Sequence, residues 1–176
     1  MSIYYNESKI YPNQKIAIKS VINGRYFCSE NLSVEFSSCH PFLLHDNNAM
    51  KNCIFQIIPS NQQENLLLSS QVYIMGPDNS LLSVDPSGSV FLEKQESVKL
   101  NSDDPLLRFR KWTLLSRQNL LDKRQINSSL EIILKSAFGN FLRTEISGNV
   151  SASATIIDDK SSFLFQIANT LPPISN

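Results

Sequence analysis

The sequence predicts an all-β fold in which one unit of about four short strands occurs three times. The first observation is an internal repeat: KIAIKSVINGRYFCSENLSVEF at residues 15–36 matches EIILKSAFGNFLRTEISGNVSA at residues 131–152. A more divergent copy, VYIMGPDNSLLSVDPSGSVFLEK at residues 72–94, lies between them. The second observation is that apolar and polar residues alternate in these copies, which is typical of strands with one buried face. The third is that turn residues separate the apolar runs.

The three units follow one another at nearly constant spacing. Ile18 is equivalent to Ile74, 56 residues later, and Ile74 is equivalent to Leu134, 60 residues later. A chain of 176 residues is long enough for one domain with a sizeable core. We therefore predict a single domain over residues 1–176, with units at about residues 15–60, 71–116 and 129–170.

The first strand of each unit contains the alternating apolar run. In the third unit a helix is an alternative, because Ser128 and Glu131 have the spacing of a capping box. The second unit has Pro77 after the same run, where proline would break a helix. If the units share one conformation, only a strand followed by a turn fits all three. We therefore predict that the capping-box match is accidental.

The second and third strands of each unit are predicted to form a hairpin. An aromatic residue or leucine marks the second strand and a valine marks the third: Tyr26, Leu81 and Phe141, then Val34, Val90 and Val150. Glycines at the turns are expected to adopt positive φ, which a Cβ disfavours. These glycines are Gly24, Gly88, Gly139 and Gly148.

The fourth strand is predicted to carry two inward side chains separated by one outward residue. The three triplets are Phe55-Gln56-Ile57, Trp112-Thr113-Leu114 and Phe165-Gln166-Ile167. Four strands cannot bury an apolar face alone, whereas three units that close on one another remove their exposed edges.

The repeated pattern, I-x-(I/L)-K-S followed by G-x-(Y/F)-(F/L), G-x-V and F-x-I, resembles the β-trefoil family, and within it the fascin and actin-crosslinking type. The resemblance covers about residues 15–170, although the middle copy lacks Lys-Ser, has Pro77 and uses Trp112 in place of phenylalanine. It implies a non-enzymatic module that binds actin filaments or another protein. Since the matched residues all fit core or turn positions, the resemblance implies the fold more directly than the function.

Segments outside the repeat are expected to carry the individual function, because loops vary more than the strands they connect. These segments are insertions at residues 61–70, 95–107 and 117–128. The first dozen residues and the tail TLPPISN are expected to be loosely attached termini. The N-terminal segment nevertheless contains apolar residues that could pack on the domain or meet a partner: Ile3, Tyr4, Tyr5, Ile10 and Tyr11.

The charge of the chain is balanced, with 16 basic and 16 acidic residues. This argues against a dedicated nucleic-acid binder and against attachment to acidic membranes by charge alone. The stretch RFRKWTLLSRQNLLDKR, residues 108–124, nevertheless has a local basic excess. It is either a solvated strand flank, offset by Asp103 and Asp104, or a contact for an acidic partner. The predicted partner-binding residues are Arg108, Arg110, Lys111, Arg117, Lys123 and Arg124.

The three cysteines, Cys28, Cys39 and Cys53, form no paired framework in the sequence. The N-terminus MSIYYNESKIYPNQ has no basic region followed by an apolar run, so we expect no secretory signal peptide. No apolar stretch reaches the ~20 residues that a membrane span needs. Together these observations predict free thiols and a cytoplasmic location, with the nucleus as an alternative.

We predict no catalytic, cofactor or metal site. Two sets of residues have suitable atoms but not the usual spacing: Cys39, His40, His45 and Cys53 for zinc, and His45 and Asp46 with Ser37 or Ser38 for a hydrolase triad. The acidic pairs at residues 103–104 and 158–159 do not by themselves converge on a substrate.

Three classes of binding function remain open from the sequence. Binding to a protein, with actin filaments first, is what the resemblance implies. A carbohydrate-binding lectin is the alternative, although the Gln-x-Trp of ricin-type lectins is absent from the fourth strands and the one tryptophan is expected to be buried. An RNA-associated module is disfavoured by the balanced charge.

Overall fold

A computed structural model of the chain describes residues 8–30, 33–37, 52–61, 63–94 and 105–167. These residues form twelve β-strands and three short 3₁₀ helices, the latter at Pro77–Asn79, Pro105–Arg110 and Asp159–Ser161. In chain order the strands are β1 Lys15–Ser20, β2 Tyr26–Glu30, β3 Ser33–Ser37, β4 Phe55–Pro59, β5 Gln71–Met75, β6 Ser80–Val84, β7 Val90–Lys94, β8 Trp112–Ser116, β9 Ile132–Lys135, β10 Phe141–Thr144, β11 Val150–Ala154 and β12 Phe163–Ile167.

Six of the strands close into an antiparallel barrel. Around the ring, β1 pairs with β4, β4 with β5, β5 with β8, β8 with β9, β9 with β12, and β12 with β1 again. The other six strands form three hairpins, β2–β3, β6–β7 and β10–β11, which extend from one end of the barrel. A closed six-stranded barrel with three hairpins in three equivalent units is the β-trefoil architecture, and the predicted fold class is confirmed.

The registers of the three units are equivalent. The first strand meets the second at Lys19 and Tyr26 in one unit, at Met75 and Leu81 in the next, and at Lys135 and Phe141 in the last. These are the pairs that the repeat alignment predicts. The third unit therefore contains a strand and a turn at residues 132–144, as predicted, and the capping-box spacing is accidental.

The barrel interior is filled by apolar side chains of equivalent strands. Ile18, Ile74 and Leu134 belong to one core cluster and are almost inaccessible to solvent. Trp112 is also fully buried, and its Nε1–H donates a 3.0 Å hydrogen bond to the backbone oxygen of Leu82. The indole is therefore buried without losing its hydrogen bond.

In the third unit, the predicted alignment of the fourth strand, β12, with the fourth strands of the other units is wrong by two residues. Ile57 lies opposite Ile74 and Leu114 opposite Leu134, while Ile18 lies opposite Phe165. Phe165 is therefore the equivalent of Ile57 and Leu114, a position that the sequence comparison had given to Ile167. A shift of two residues keeps every side chain on the same face of a strand, so alternation alone does not detect it.

The segments that precede the first strands belong to the repeat. Ile10, Leu66 and Ile126 are fully buried in the core. Each lies six residues before an equivalent first-strand position, Ile16, Val72 or Ile132. Ile10 N–H donates a 3.0 Å hydrogen bond to the Ile126 oxygen, and Ile126 N–H donates a 2.9 Å bond to the Leu66 oxygen.

These three segments cover the barrel end opposite the hairpins, which we call the plug end. The expectation that residues 61–70 and 117–128 are insertions is wrong, and so is the expectation of a loose attachment at residues 8–12. Three further parts of the chain lie outside the described residues: residues 1–7, residues 95–104 of the predicted insertion at 95–107, and the tail.

Cys28 and Cys53 form a disulfide, so the prediction of free thiols is wrong for both. The bond joins β2 to the residues before β4, which also meet through a 2.8 Å hydrogen bond from Ser29 N–H to the Asn52 oxygen. Their separation of 25 residues gives no pairing signal in the sequence. Disulfides persist in oxidising compartments. The cysteines therefore no longer support the prediction of a reducing compartment such as the cytoplasm. Cys39 lies outside the described residues.

The four turn glycines adopt positive φ, as predicted. Gly88 shows why one of them cannot be replaced easily. Its φ is +90°, and a Cβ built on it would lie 2.8 Å from the Cβ of Ser153 on β11. The Gly88 oxygen also accepts a 2.8 Å hydrogen bond from Ala152 N–H. This turn therefore packs directly on the third unit.

Candidate binding surfaces

The predicted basic segment is divided between two regions by β8. Arg108, Arg110 and Lys111 precede the strand, whereas Arg117, Lys123 and Arg124 follow it. Five extended residues span about 17 Å. The six cations therefore do not form a single patch, and the two halves must be considered separately.

Three of the six cations lie against carboxylates of the same chain. Arg110 forms a two-bonded pair with Glu93, with Nη2–Oε1 at 2.7 Å and Nε–Oε2 at 3.0 Å. Arg117 forms an ion pair with Asp159, with Nη2–Oδ1 at 2.6 Å, and its Nη1 donates a 3.0 Å hydrogen bond to the Ser162 hydroxyl. Arg124 pairs with Asp122 at 2.7 Å. Arg110 and Arg117 therefore connect distant segments of the chain, whereas Arg124 makes a local pair with a residue two positions away.

An exposed aromatic pair lies beside the first half of the basic segment. The rings of Phe109 and Phe138 stack with centroids 5.4 Å apart and an interplanar angle of 11°. Both side chains remain more than a third exposed. The Arg108 guanidinium carbon lies 4.7 Å from the Phe109 centroid. We call the side chains of Arg108, Phe109 and Phe138 the aromatic surface.

Neighbouring contacts fix this surface from the second unit. Phe109 belongs to the 3₁₀ helix Pro105–Arg110, in which Leu107 is buried against Tyr73 and Leu81. The Arg110–Glu93 pair attaches the end of this helix to β7. Burial raises the pKa of the Tyr73 phenol, and the nearby Arg110 guanidinium acts against that rise. With Leu107 and Arg110 held inward, Arg108 and Phe109 remain accessible.

The other half of the aromatic surface comes from the third unit. Phe138 lies in the turn between β9 and β10, and its N–H donates a 3.3 Å bond to the Ser136 hydroxyl. Gly139 follows with φ of +86°. The sequence comparison did not identify the pair, because the two phenylalanines are 29 residues apart in different units. The available signal was a phenylalanine in a polar turn immediately before a glycine.

A polar cavity lies between the first and second units. Its volume is about 460 Å³, and a neighbouring cavity of about 330 Å³ shares Pro77 and Asp78 with it. The larger cavity is lined by Ser29, Glu30, Asn52, Pro77, Asp78, Ser80, Leu92 and Lys94. The disulfide is next to this lining, since Cys28 precedes Ser29 and Cys53 follows Asn52.

The residues considered for chemistry have other roles or lie outside the described residues. Among the described residues, no three His, Cys, Asp or Glu side chains form a group that could hold a metal. Cys39, His40, His45, Asp46 and Ser38 are not among the described residues. Asp158 accepts a 3.0 Å bond from Lys160 N–H at the start of a 3₁₀ helix, and Asp159 pairs with Arg117.

No protein-family model matches the sequence, and no curated protein matches it significantly. Solved structures do match. The SDF2-like protein from Arabidopsis thaliana has 12% identity and a TM-score of 0.64, covering 89% of this chain and 94% of its own. The BEL β-trefoil has 11% identity and a TM-score of 0.63, covering 92% and 97%. SeviL, solved with an asialo-GM1 saccharide, has 11% identity and a TM-score of 0.58, covering 89% and 98%.

Within the described residues, no helix has the length and apolar character required to cross a bilayer. The structural similarity extends over nearly the whole of each neighbour, but sequence identities of 11–12% carry the fold alone. The fascin-type resemblance is not confirmed by these neighbours. The chain is a β-trefoil.

Proposed function

We propose that the chain is a non-enzymatic binding module whose aromatic surface docks an acidic protein partner. The observation that carries this proposal is the stacked and exposed pair of Phe109 and Phe138 with Arg108 beside it. Aromatic side chains, phenylalanine included, and arginine are enriched at the cores of protein interfaces. Two rings already stacked in the free protein lose little conformational freedom on binding.

The charge around the aromatic surface favours an acidic partner. Arg108 is exposed, and Lys111 is partly buried. Neither side chain forms an ion pair among the described residues. Arg110, by contrast, is bound to Glu93 and is only 12% exposed at its side chain. Of the predicted binding residues before β8, we therefore assign partner contact to Arg108 and Lys111 and a positioning role to Arg110.

Actin filaments are the first partner to test, because the fascin-type resemblance implies them and their surface is acidic. The double variant Phe109→Ser with Phe138→Ser removes the rings, and Ile156→Ser is the matched control, since Ile156 is 66% exposed on another loop. We expect the wild type and the control to sediment with filaments and the double variant to stay in solution. Binding should also weaken as salt rises.

If the wild type does not sediment with filaments, actin is removed from first place. The same three proteins are then used as bait in cell extract with mass spectrometry. A partner that the wild type and Ile156→Ser retain and the double variant loses would support the aromatic surface. Equal capture by all three proteins would overturn it.

Glycan binding at the polar cavity is the second candidate. Six of the eight lining residues carry polar side chains, which suits a ligand rich in hydroxyl groups. One structural neighbour, SeviL, was solved with a bound saccharide, and this adds to the candidate. A glycan array compares the wild type with Asn52→Ala and Asp78→Ala. Saccharide binding that both variants lose, while Phe109→Ser retains it, would favour the cavity over the aromatic surface.

A further inference from the structure

The plug end presents an apolar tip that the proposed function does not use. Leu121 is 85% exposed and Leu120 is 45% exposed, in the loop between β8 and β9. Leu121 is the most exposed large hydrophobic side chain among the described residues. We call residues 119–122 the leucine tip.

The leucine tip is held in one conformation by hydrogen bonds at both of its ends. Asn119 accepts two of these hydrogen bonds, each 3.0 Å long. Its side-chain oxygen accepts from Leu121 N–H, and the Asn119 backbone oxygen accepts from Asp122 N–H. The Asp122 carboxylate accepts a 2.9 Å bond from Arg124 N–H. The Ser69 hydroxyl donates a 3.0 Å bond to the Asp122 backbone oxygen. The two leucines therefore protrude from a braced turn.

The charged groups around the tip carry a net excess of one positive charge, since Arg124 is paired with Asp122 and two lysines remain against one glutamate. Lys123 is exposed, and the Arg124 side chain is 71% exposed. Lys9, also exposed, lies on the neighbouring segment that bridges to Asn127. The acid within the tip, Asp122, is only 7% exposed at its side chain and lies against Arg124. Glu64 on the adjacent segment is exposed as well. The area around the tip therefore holds three cations and two carboxylates.

We propose that the leucine tip inserts into the surface of a bilayer that contains anionic phospholipid. A small convex tip suits lipid better than it suits a protein, because a stable protein interface buries about 800 Å² on each partner. Two leucines can enter the boundary between headgroups and acyl chains, as the apolar side chains of peripheral membrane proteins do. Lys9, Lys123 and Arg124 would then face the headgroups, where each cation adds to the attraction.

Sedimentation with phospholipid vesicles tests this proposal. The vesicles contain phosphatidylcholine, with or without phosphatidylserine. We expect the full chain to sediment with the serine-containing vesicles and much less with the neutral ones. Leu121→Ser should weaken this binding about tenfold or more, since burial of one leucine is lost. Lys123→Glu should weaken it, whereas Ile156→Ser and Phe109→Ser should leave it unchanged.

Three results would overturn the proposal. One is that the wild type stays in solution with both kinds of vesicle. Another is that Leu121→Ser binds as the wild type does. The last is light scattering that shows a dimer which Leu121→Ser dissociates, because a second copy of the chain would then cover the tip. Failure of the aromatic surface in its own test does not affect these readouts, since Leu121→Ser and Lys123→Glu change no residue of the aromatic surface.

Discussion

Gly88 of the second unit lies against Ser153 of the third, so that a Cβ at Gly88 would come within 2.8 Å of the Ser153 Cβ. Gly139 has a similar φ but open space around it, with nothing within 4 Å of its own added Cβ. These two glycines separate the cost of backbone strain from the cost of a steric clash.

Gly139→Ala should destabilise the protein by about 1–2 kcal/mol, the cost of a left-handed residue that carries a Cβ. Gly88→Ala should cost a further ~1–3 kcal/mol, because the units must also move apart. Urea unfolding of both variants measures the difference. Equal losses of stability would mean that the Gly88–Ser153 contact adjusts without cost.

Ile126→Ala should destabilise the protein by about 2–5 kcal/mol, as for other large-to-small changes in a core. Ile126 is fully buried at the plug end. Leu121→Ala, five residues earlier on the exposed tip, is the matched control and should change stability by less than ~0.5 kcal/mol. Thermal unfolding checks both variants. If Ile126→Ala changes stability as little as Leu121→Ala does, the segment around Ile126 does not contribute to the core and is better described as an insertion.

Alkylation of the unfolded, non-reduced protein should modify one cysteine of three. Cys28 and Cys53 are bonded to each other, which leaves Cys39 as the remaining thiol of the sequence. Mass spectrometry counts the alkylated thiols. Reduction, or the double variant Cys28→Ala with Cys53→Ala, should lower the free energy of unfolding by about 2–4 kcal/mol. Three modified cysteines without reductant would contradict the disulfide.

Stability should fall as the pH drops below about 4.5, the ordinary pKa of the glutamate side chain. The Lys160 ammonium, which donates a 2.9 Å bond, is the largest influence that holds the pKa of Glu145 down, and Arg143 adds to it. A carboxylate with a lowered pKa in the folded state stabilises the protein above its unfolded pKa. This stabilisation disappears as the pH falls through the folded pKa. Asp85 and Asp122 have lowered pKa values as well, so they act in the same direction.

Melting temperatures across this pH range test the prediction. Glu145→Gln should be less stable than the wild type at neutral pH and should show a shallower decline on acidification. A decline as steep as that of the wild type would indicate that other carboxylates dominate. The effect of Glu145 should be modest, because its side chain is 48% exposed and solvent therefore screens its ion pairs.

The repeat located most of the barrel, because equivalent strands bury equivalent side chains. Ile18, Ile74 and Leu134 could be predicted from spacing and alternation alone. The core positions of Ile10, Leu66 and Ile126 could not, since their short bridging segments bury only one or two residues each, with Leu68 as the second beside Leu66, and are too short to establish a periodicity. Whether Phe165 or Ile167 is equivalent to Ile57 and Leu114 depends on the register of β12 against β1. A shift of two residues keeps the same side chains on the buried face, so the sequence pattern does not reveal it.

The candidate sites could be predicted only in part. Arg108 was identified from a run of charge, but its aromatic neighbours come from two units that meet only after folding. The run itself gave no indication that Arg110 is bound to Glu93 and lies largely buried. Charge patterns identify surface segments, whereas the partners that neutralise a charge are supplied by distant parts of the chain.

The pairing of β12 with β1 makes the earliest strand of the barrel depend on the latest. During synthesis β1 leaves the ribosome long before its neighbour exists, and until then one of its hydrogen-bonding edges is open. Native contacts of this kind have high contact order, which slows folding and prolongs the exposure of strand edges. A chain that stops before Phe163 would keep the open edges of β1 and β9 permanently, and such edges recruit other chains. Premature termination late in this chain is therefore a route to aggregation rather than to a slightly shorter working domain.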